Sequence, residues 1–156
     1  MSSTNYSLAT AVPTEKLCEG VSPIASMKAI KNEAEQEGFR AAMLRDGVAV
    51  VKFLAWLKPA VEVGGQTEIS LDERLTALRA EQPKFKGISF DTIVGYEEHG
   101  AIVHYEATPE TDIPVEPHGL VLIDSGAQYL DGTTDITRTI ALGEITEEQR
   151  RVYTLV

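Results

Sequence analysis

From Glu33 to about Lys58 the apolar residues Phe39, Met43 or Leu44, Val48, Val51 and Ala55 recur at helical spacing. That period predicts one long helix with a buried face. Asn32 is placed to cap it, with Glu35 three residues on to complete a capping box, and Pro59 reads as its stop. Asp46 and Gly47 interrupt the stripe without ending it, since a single helical glycine costs only about 1 kcal/mol. The stretch GGQTEISLDERLTALRAEQP predicts a second helix, entered near Thr67, with Leu71, Leu75 and Leu78 on one side and Pro83 closing it.

The period then shortens. SFDTIVGY and AIVHYEA are short and rich in β-branched or aromatic residues, which predicts two strands joined through EEHG. TPETDIPVEPHG is a proline-rich loop, LVLID an interior strand, and TTDITRTIA a returning strand after the Asp131–Gly132 turn. Thr146 to Gln149 form a capping box that opens a helix running into Val156 without a cap, which suggests that the chain is cut inside an element. Residues 1–23, with Pro13 and Pro23, show no helical stripe and read as an approach segment. Two helices followed by an antiparallel patch make an α+β pattern.

At 156 residues, one core and one domain are the expectation. The 14 Lys and Arg against 24 Asp and Glu leave ten excess negative charges, which disfavours nucleic acid or an anionic membrane surface as partner. No apolar run approaches the roughly 20 residues of a membrane helix, and no secretory leader pattern is present. Cys18 is the single cysteine. With no internal disulfide available, a cytoplasmic location is the expectation.

Candidate chemistry concentrates in DSGAQYLDGTTD, residues 124–135, which opens and closes with a carboxylate. A hairpin turning around Leu130 to Gly132 brings Asp124 and Asp135 to nearly the same level. Strand alternation puts Thr133, Asp135, Thr137 and Thr139 on one side, although a bulge near the turn would shift one acid by a residue. Two carboxylates within a few ångströms repel unless a proton or cation lies between them, and oxygen donors suit Mn, Mg, Zn or Co. The plainer alternative is that both acids end hairpin hydrogen bonds or pair with Arg138. His104 lies in the predicted strand AIVHY, where it could hold a polar substrate or have a structural role. His99 and His118 are explained by their turn positions. Compact zinc motifs, nucleophile elbows and phosphate-binding glycine loops are all absent from the sequence.

The stretches MKAIKNEAEQEGFRAAMLRDG, TEISLDERL, GAIVHY and DSGAQYLDGTTDITRT together resemble the Xaa-Pro aminopeptidase (aminopeptidase P) group of pita-bread metallopeptidases. The resemblance implies residues 1–21 as the exit of a preceding domain or a linker. It implies residues 22–156 as the N-terminal half of the catalytic domain, truncated at its C-terminus. It also implies release of the N-terminal residue from peptides with proline second, by two metal ions, commonly manganese, with Zn, Co or Mg as alternatives. By resemblance Asp124 would ligate one metal, Asp135 would bridge both, and His104 would contact substrate without binding metal. Thr137 and Arg138 would support the metal-bearing strands.

Complete members of that group add a later histidine and two later glutamates to the metal cluster, so the missing C-terminal half is an implied partner, with a homodimer as a further assembly. His99 departs from the small or amide residue associated with its position. Two other readings stay open: a catalytically inert pita-bread binding or assembly module, and an α+β fragment with no function of its own.

Overall fold

The computed structural model describes residues 4–18 and 20–156, so the sequence reading of 1–23 falls partly outside the described residues. The chain divides into two compact units, Met1–Glu33 and Ala34–Val156. Among its described residues the first carries two short α-helices, α1 (Tyr6–Thr10) and α2 (Pro23–Ala29), with a 3₁₀ turn at Thr14–Lys16 between them, and none contains a buried residue.

The second unit begins with the long helix α3 (Glu33–Val63) and α4 (Glu68–Ala80). Thr67 caps α4: its side chain accepts from the Ser70 amide while the Ser70 hydroxyl accepts from the Thr67 amide. Leu71, Leu75 and Leu78 are buried on the predicted side. The α3 expectation needs two corrections. Pro59 does not end the helix, which continues to Val63 and stops where Gly64 and Gly65 take positive φ. The carbonyl deprived of its N–H partner, that of Ala55, belongs to an exposed residue beside the exposed Pro59, so water can satisfy it.

The buried stripe is also a different one. Ala42, Asp46, Ala49, Phe53, Leu57 and Val61 face the core, whereas Leu44 is 75 % and Val51 65 % exposed. Asp46 read as an interruption because it is charged, yet it belongs to the stripe. Its carboxylate accepts from Arg79 Nε at 2.8 Å and Nη2 at 3.0 Å, and from the Tyr129 hydroxyl at 3.0 Å. Neither side chain of the Asp46–Arg79 pair is exposed.

Among the described residues six strands form two antiparallel sheets. One has the order β1 (Phe85–Ile88), β4 (Ala127–Tyr129), β5 (Gly132–Thr133); the other has β2 (Ile93–Tyr96), β3 (Leu120–Ser125), β6 (Ile136–Ala141). LVLID is thus an interior strand, as expected. SFDTIVGY is strand only from Ile93, and β1 lies before it, in a stretch the sequence pattern left unassigned. Phe53, Leu57, Leu71, Leu75, Val94, Val121 and Ile123 form the main core between the helices and the second sheet.

The expected strand AIVHYEA is absent. Glu97–Ala101 forms a 3₁₀ turn, and His104 takes φ 57, a left-handed conformation that no strand accommodates. Ile102 and Val103 are exposed, so their β-branched side chains pack on nothing that would favour a ladder. The last element, α5 (Glu147–Leu155), has the expected capping box at Thr146 and Gln149.

Replacing Arg79 with Met leaves the Asp46 carboxylate buried without its cation. Unfolding free energy should fall by about 3–5 kcal/mol in denaturant titrations followed by circular dichroism; a loss under about 1 kcal/mol would contradict a structural role for the pair. Burial first, and the adjacent Asp46 second, hold the Tyr129 phenol above its ordinary value of 10.0. Because the folded state keeps that proton longer, its contribution is complete below pH 10.0 and is lost as pH rises toward the higher folded value. Tyr129→Phe should therefore lose stability less steeply than the parent above that pH, and equal slopes would contradict the assignment.

Candidate metal and substrate face

Asp124 closes the apolar strand β3, where Ile93 of β2 lies on one side of it and Thr137 of β6 on the other. Ser125 pairs with Ile136 and, beyond an interruption, Gln128 with Thr133 and Tyr129 with Gly132. Each strand contributes two residues to the interruption, so the register carries through it without a bulge. Asp135 therefore falls opposite Gly126, one same-face step from the Asp124–Thr137 pair. Diagonal neighbours of this kind stand about 7 Å apart, within reach of a shared ligand.

Thr134 makes the interruption rigid. It is 1 % exposed; its amide donates to the Ala127 carbonyl at 2.9 Å, and its hydroxyl accepts from the Ala127 amide at 2.9 Å. Ser89 closes the same point, its amide donating to the Gly126 carbonyl and its hydroxyl to the Thr134 carbonyl. A Cβ at position 126 would run into Thr134 O and Ser89 Oγ, so glycine is required there. Asp135 thus sits where the hairpin passes from one sheet to the other.

The face shared by the two acids is the one turned away from the core, since β3 buries Val121, Ile123 and Ser125 and leaves Leu120, Leu122 and Asp124 half-buried. Asp124 is held by Thr137, whose hydroxyl donates to Oδ1 at 2.7 Å; Asp135 is exposed. Arg138 pairs across from Ile123, on the opposite side of the sheet, and its Nη1 donates to the Thr137 carbonyl at 2.6 Å. No ion pair joins Arg138 to either acid among the described residues, so the Arg138 half of the plainer alternative has no support, whereas Asp124 does accept a hydrogen bond across the hairpin.

Thr137 and Thr139 also line an open concavity of about 890 Å³ between this face and α5, with Leu122, Val152 and Tyr153. The two carboxylates offer hard oxygen donors fit for a divalent cation, but as part of a shell only. Among the described residues no group of three or more His, Cys, Asp or Glu is placed to hold a metal.

His104 is exposed and makes no hydrogen bond to either acid among the described residues. Its segment nevertheless lies on the same face. Gly95 pairs with the outward Leu122, and a Cβ at Gly95 would come within 2.7 Å of Gly100, so the 3₁₀ turn crosses this side of the sheet.

Sequence reasoning missed the group that ties the segment down. Glu68, at the first turn of α4, is fully buried and accepts from the Tyr96 amide at 2.8 Å, the Tyr105 hydroxyl at 2.8 Å and His99 Nδ1 at 3.0 Å. An acid after an N-cap reads as a solvated favourable charge, and nothing local signals its burial. His118 instead meets the Tyr96 hydroxyl at 3.1 Å, away from the acids.

The chain matches the model of metallopeptidase family M24 over residues 37–156. It is 45 % identical over 156 residues to a probable Xaa-Pro aminopeptidase P of Paracoccidioides lutzii, an alignment covering 97 % of this chain and 25 % of that protein. The structure is similar to X-prolyl aminopeptidase from Caenorhabditis elegans, described as a cytosolic enzyme with a di-nuclear active site. That likeness has a TM-score of 0.86 at 35 % identity, over 92 % of this chain and 24 % of the other.

Xaa-Pro dipeptidase from Bacillus anthracis matches with TM-score 0.76 and 25 % identity, over 99 % of this chain and 42 % of the other. The chain spans about a quarter of the length of the curated relatives it matches. No helix among the described residues is long and apolar enough to cross a membrane. The α+β arrangement is the one expected of a partial pita-bread domain, and with a family match running through most of its length the chain belongs to metallopeptidase family M24.

Proposed function

We propose that this chain supplies part of a dinuclear Xaa-Pro aminopeptidase site. Residues 22–156 would act as the N-terminal half of the catalytic domain, and residues 1–21 as the exit from a preceding one. The observation that carries the reading is that the hairpin pairs on either side of the interruption keep one register, which is consistent with Asp124 and Asp135 sharing one outward face. The similarity to aminopeptidases P supports it.

In this reading Asp124 and Asp135 hold divalent metal, manganese foremost, together with ligands from the remainder of the longer protein. When bound, the metals supply Lewis-acid polarisation of the scissile carbonyl and an activated water. The chain's own groups have separable tasks. Thr137 fixes the orientation of the Asp124 carboxylate through its 2.7 Å hydrogen bond, and Arg138 braces the same strand. Both leave the reacting atoms untouched. His104, exposed on this face, contacts the peptide and holds or passes a proton at its ring nitrogen. The substrate is a peptide with proline second, the working compartment is the cytoplasm, and pairing of two complete copies is compatible with the site.

Two carboxylates are an incomplete coordination shell, so calorimetric titration of the chain alone with manganese should show no tight stoichiometric site. Joined to the C-terminal remainder of a relative and supplied with manganese, it should release the first residue of a short Xaa-Pro peptide in a chromatographic time course. Asp135→Asn should remove metal and reduce turnover on the order of 100-fold or more. A folded joined protein that loads two metals and never cleaves the bond would overturn the peptidase reading in favour of an inert binding module.

A further inference from the structure

His99 is left over from both the sequence motifs and the metal face, and its surroundings are specific. Its Nδ1 stands 3.0 Å from each carboxylate oxygen of Glu68, and its ring lies 4.5 Å from that of Tyr105, tilted by 36°. In either neutral or protonated form the hydrogen faces the carboxylate, since an acceptor nitrogen there would repel it. Glu68 also receives the Tyr96 amide and the Tyr105 hydroxyl. One buried carboxylate therefore gathers the start, the middle and the end of the segment 96–105. Within it the Ile102 amide donates to the His99 carbonyl at 3.1 Å and the Tyr105 amide to the Ile102 carbonyl at 3.2 Å. These bonds wind the backbone so that His104 emerges in a left-handed conformation, next to the tethered Tyr105.

We propose that Glu68, acting through His99 and Tyr105, is the positioning residue of the segment that presents His104 on the metal-bearing face. The inference rests on the role given to His104 under the proposed function. Glu97 is anchored separately, its carboxylate accepting from the Leu120 amide at 2.8 Å; without the Glu68 tether, residues 98–104 beyond it would be a largely exposed strap, of the kind that opens locally at low cost. A non-glycine residue at positive φ persists only where its surroundings over-determine it, and Glu68 supplies that constraint from beneath.

The test uses hydrogen exchange on the chain and kinetics on the joined protein. His99 is partly exposed and lies outside the apolar core, so its variants should fold. His99→Ala, and His99→Phe, which keeps a ring but has no donor, should raise amide exchange in residues 97–105 about tenfold or more while α3 and β3 exchange as before. His99→Asn, whose side-chain amide can donate to the same carboxylate, should restore most of the protection. Unchanged exchange in 97–105, or an equal rise throughout the chain, would overturn the proposal.

In the joined protein His99→Ala should lower kcat about tenfold with metal content retained, a loss of placement rather than of ligands. It should add nothing to His104→Ala, and additive losses would show that His99 acts elsewhere. Parental turnover in His104→Ala alone would overturn the role of His104 itself; positioning by Glu68 is then decided by the exchange data, where flat exchange in His99→Ala overturns it.

Discussion

The buried pair of Asp46 and Arg79 is the constraint on which the site depends. A carboxylate and a guanidinium removed from water gain only if their geometry is good, and here the contact is bidentate, with the Tyr129 hydroxyl as a third partner. The three residues belong to α3, α4 and β4, so the polar node ties both helices to the acid-bearing hairpin. Arg79 Nη1 is buried without a partner, a cost the other bonds offset.

The hairpin's tip is tied down at the same place. Asp131 pairs with Arg45 of α3 and with Lys84, and Gly38 gives the turn room to approach the helix, where a Cβ would meet the Asp131 carbonyl. Lys84 first, and Arg45 beside it, hold the Asp131 carboxyl below the usual range. A slip of one residue in this hairpin would send Tyr129 to solvent and Asp124 into the core. Anchoring Tyr129 from below therefore determines which way the two acids point.

Much of the architecture was legible because local chemistry and tertiary environment agree. Thr67 at the entry of α4, Thr146 with Gln149, the leucines of α4 and the apolar run of β3 each carry one message. The misreadings occur where a long-range partner overrides the local signal. Asp46 looks like a break in the α3 stripe until Arg79, 33 positions away, is placed beside it. Ile102 and Val103 favour a strand by propensity, yet the segment is held by Glu68 from another element. The sequence could bring the two acids to nearly the same level of a hairpin but not fix their register, which a bulge near the turn would have shifted; in the structure Asp124 lies opposite Thr137. The ties that fix the hairpin's orientation could not be read either, since they come from α3 and α4.

Asp124 is constrained by Thr137 and by strands on both sides, whereas Asp135 projects from the sheet junction with its carboxylate exposed. In the proposed site Asp124 would be the ligand fixed in advance and Asp135 the one free to adapt. Anomalous X-ray diffraction from manganese-loaded crystals of the joined protein tests this most directly. The account predicts two manganese peaks on the outward face of β3 and β6, one bonded to Asp124 and both to Asp135. Manganese on the helix side of the sheet, or bonded to neither carboxylate, would contradict it.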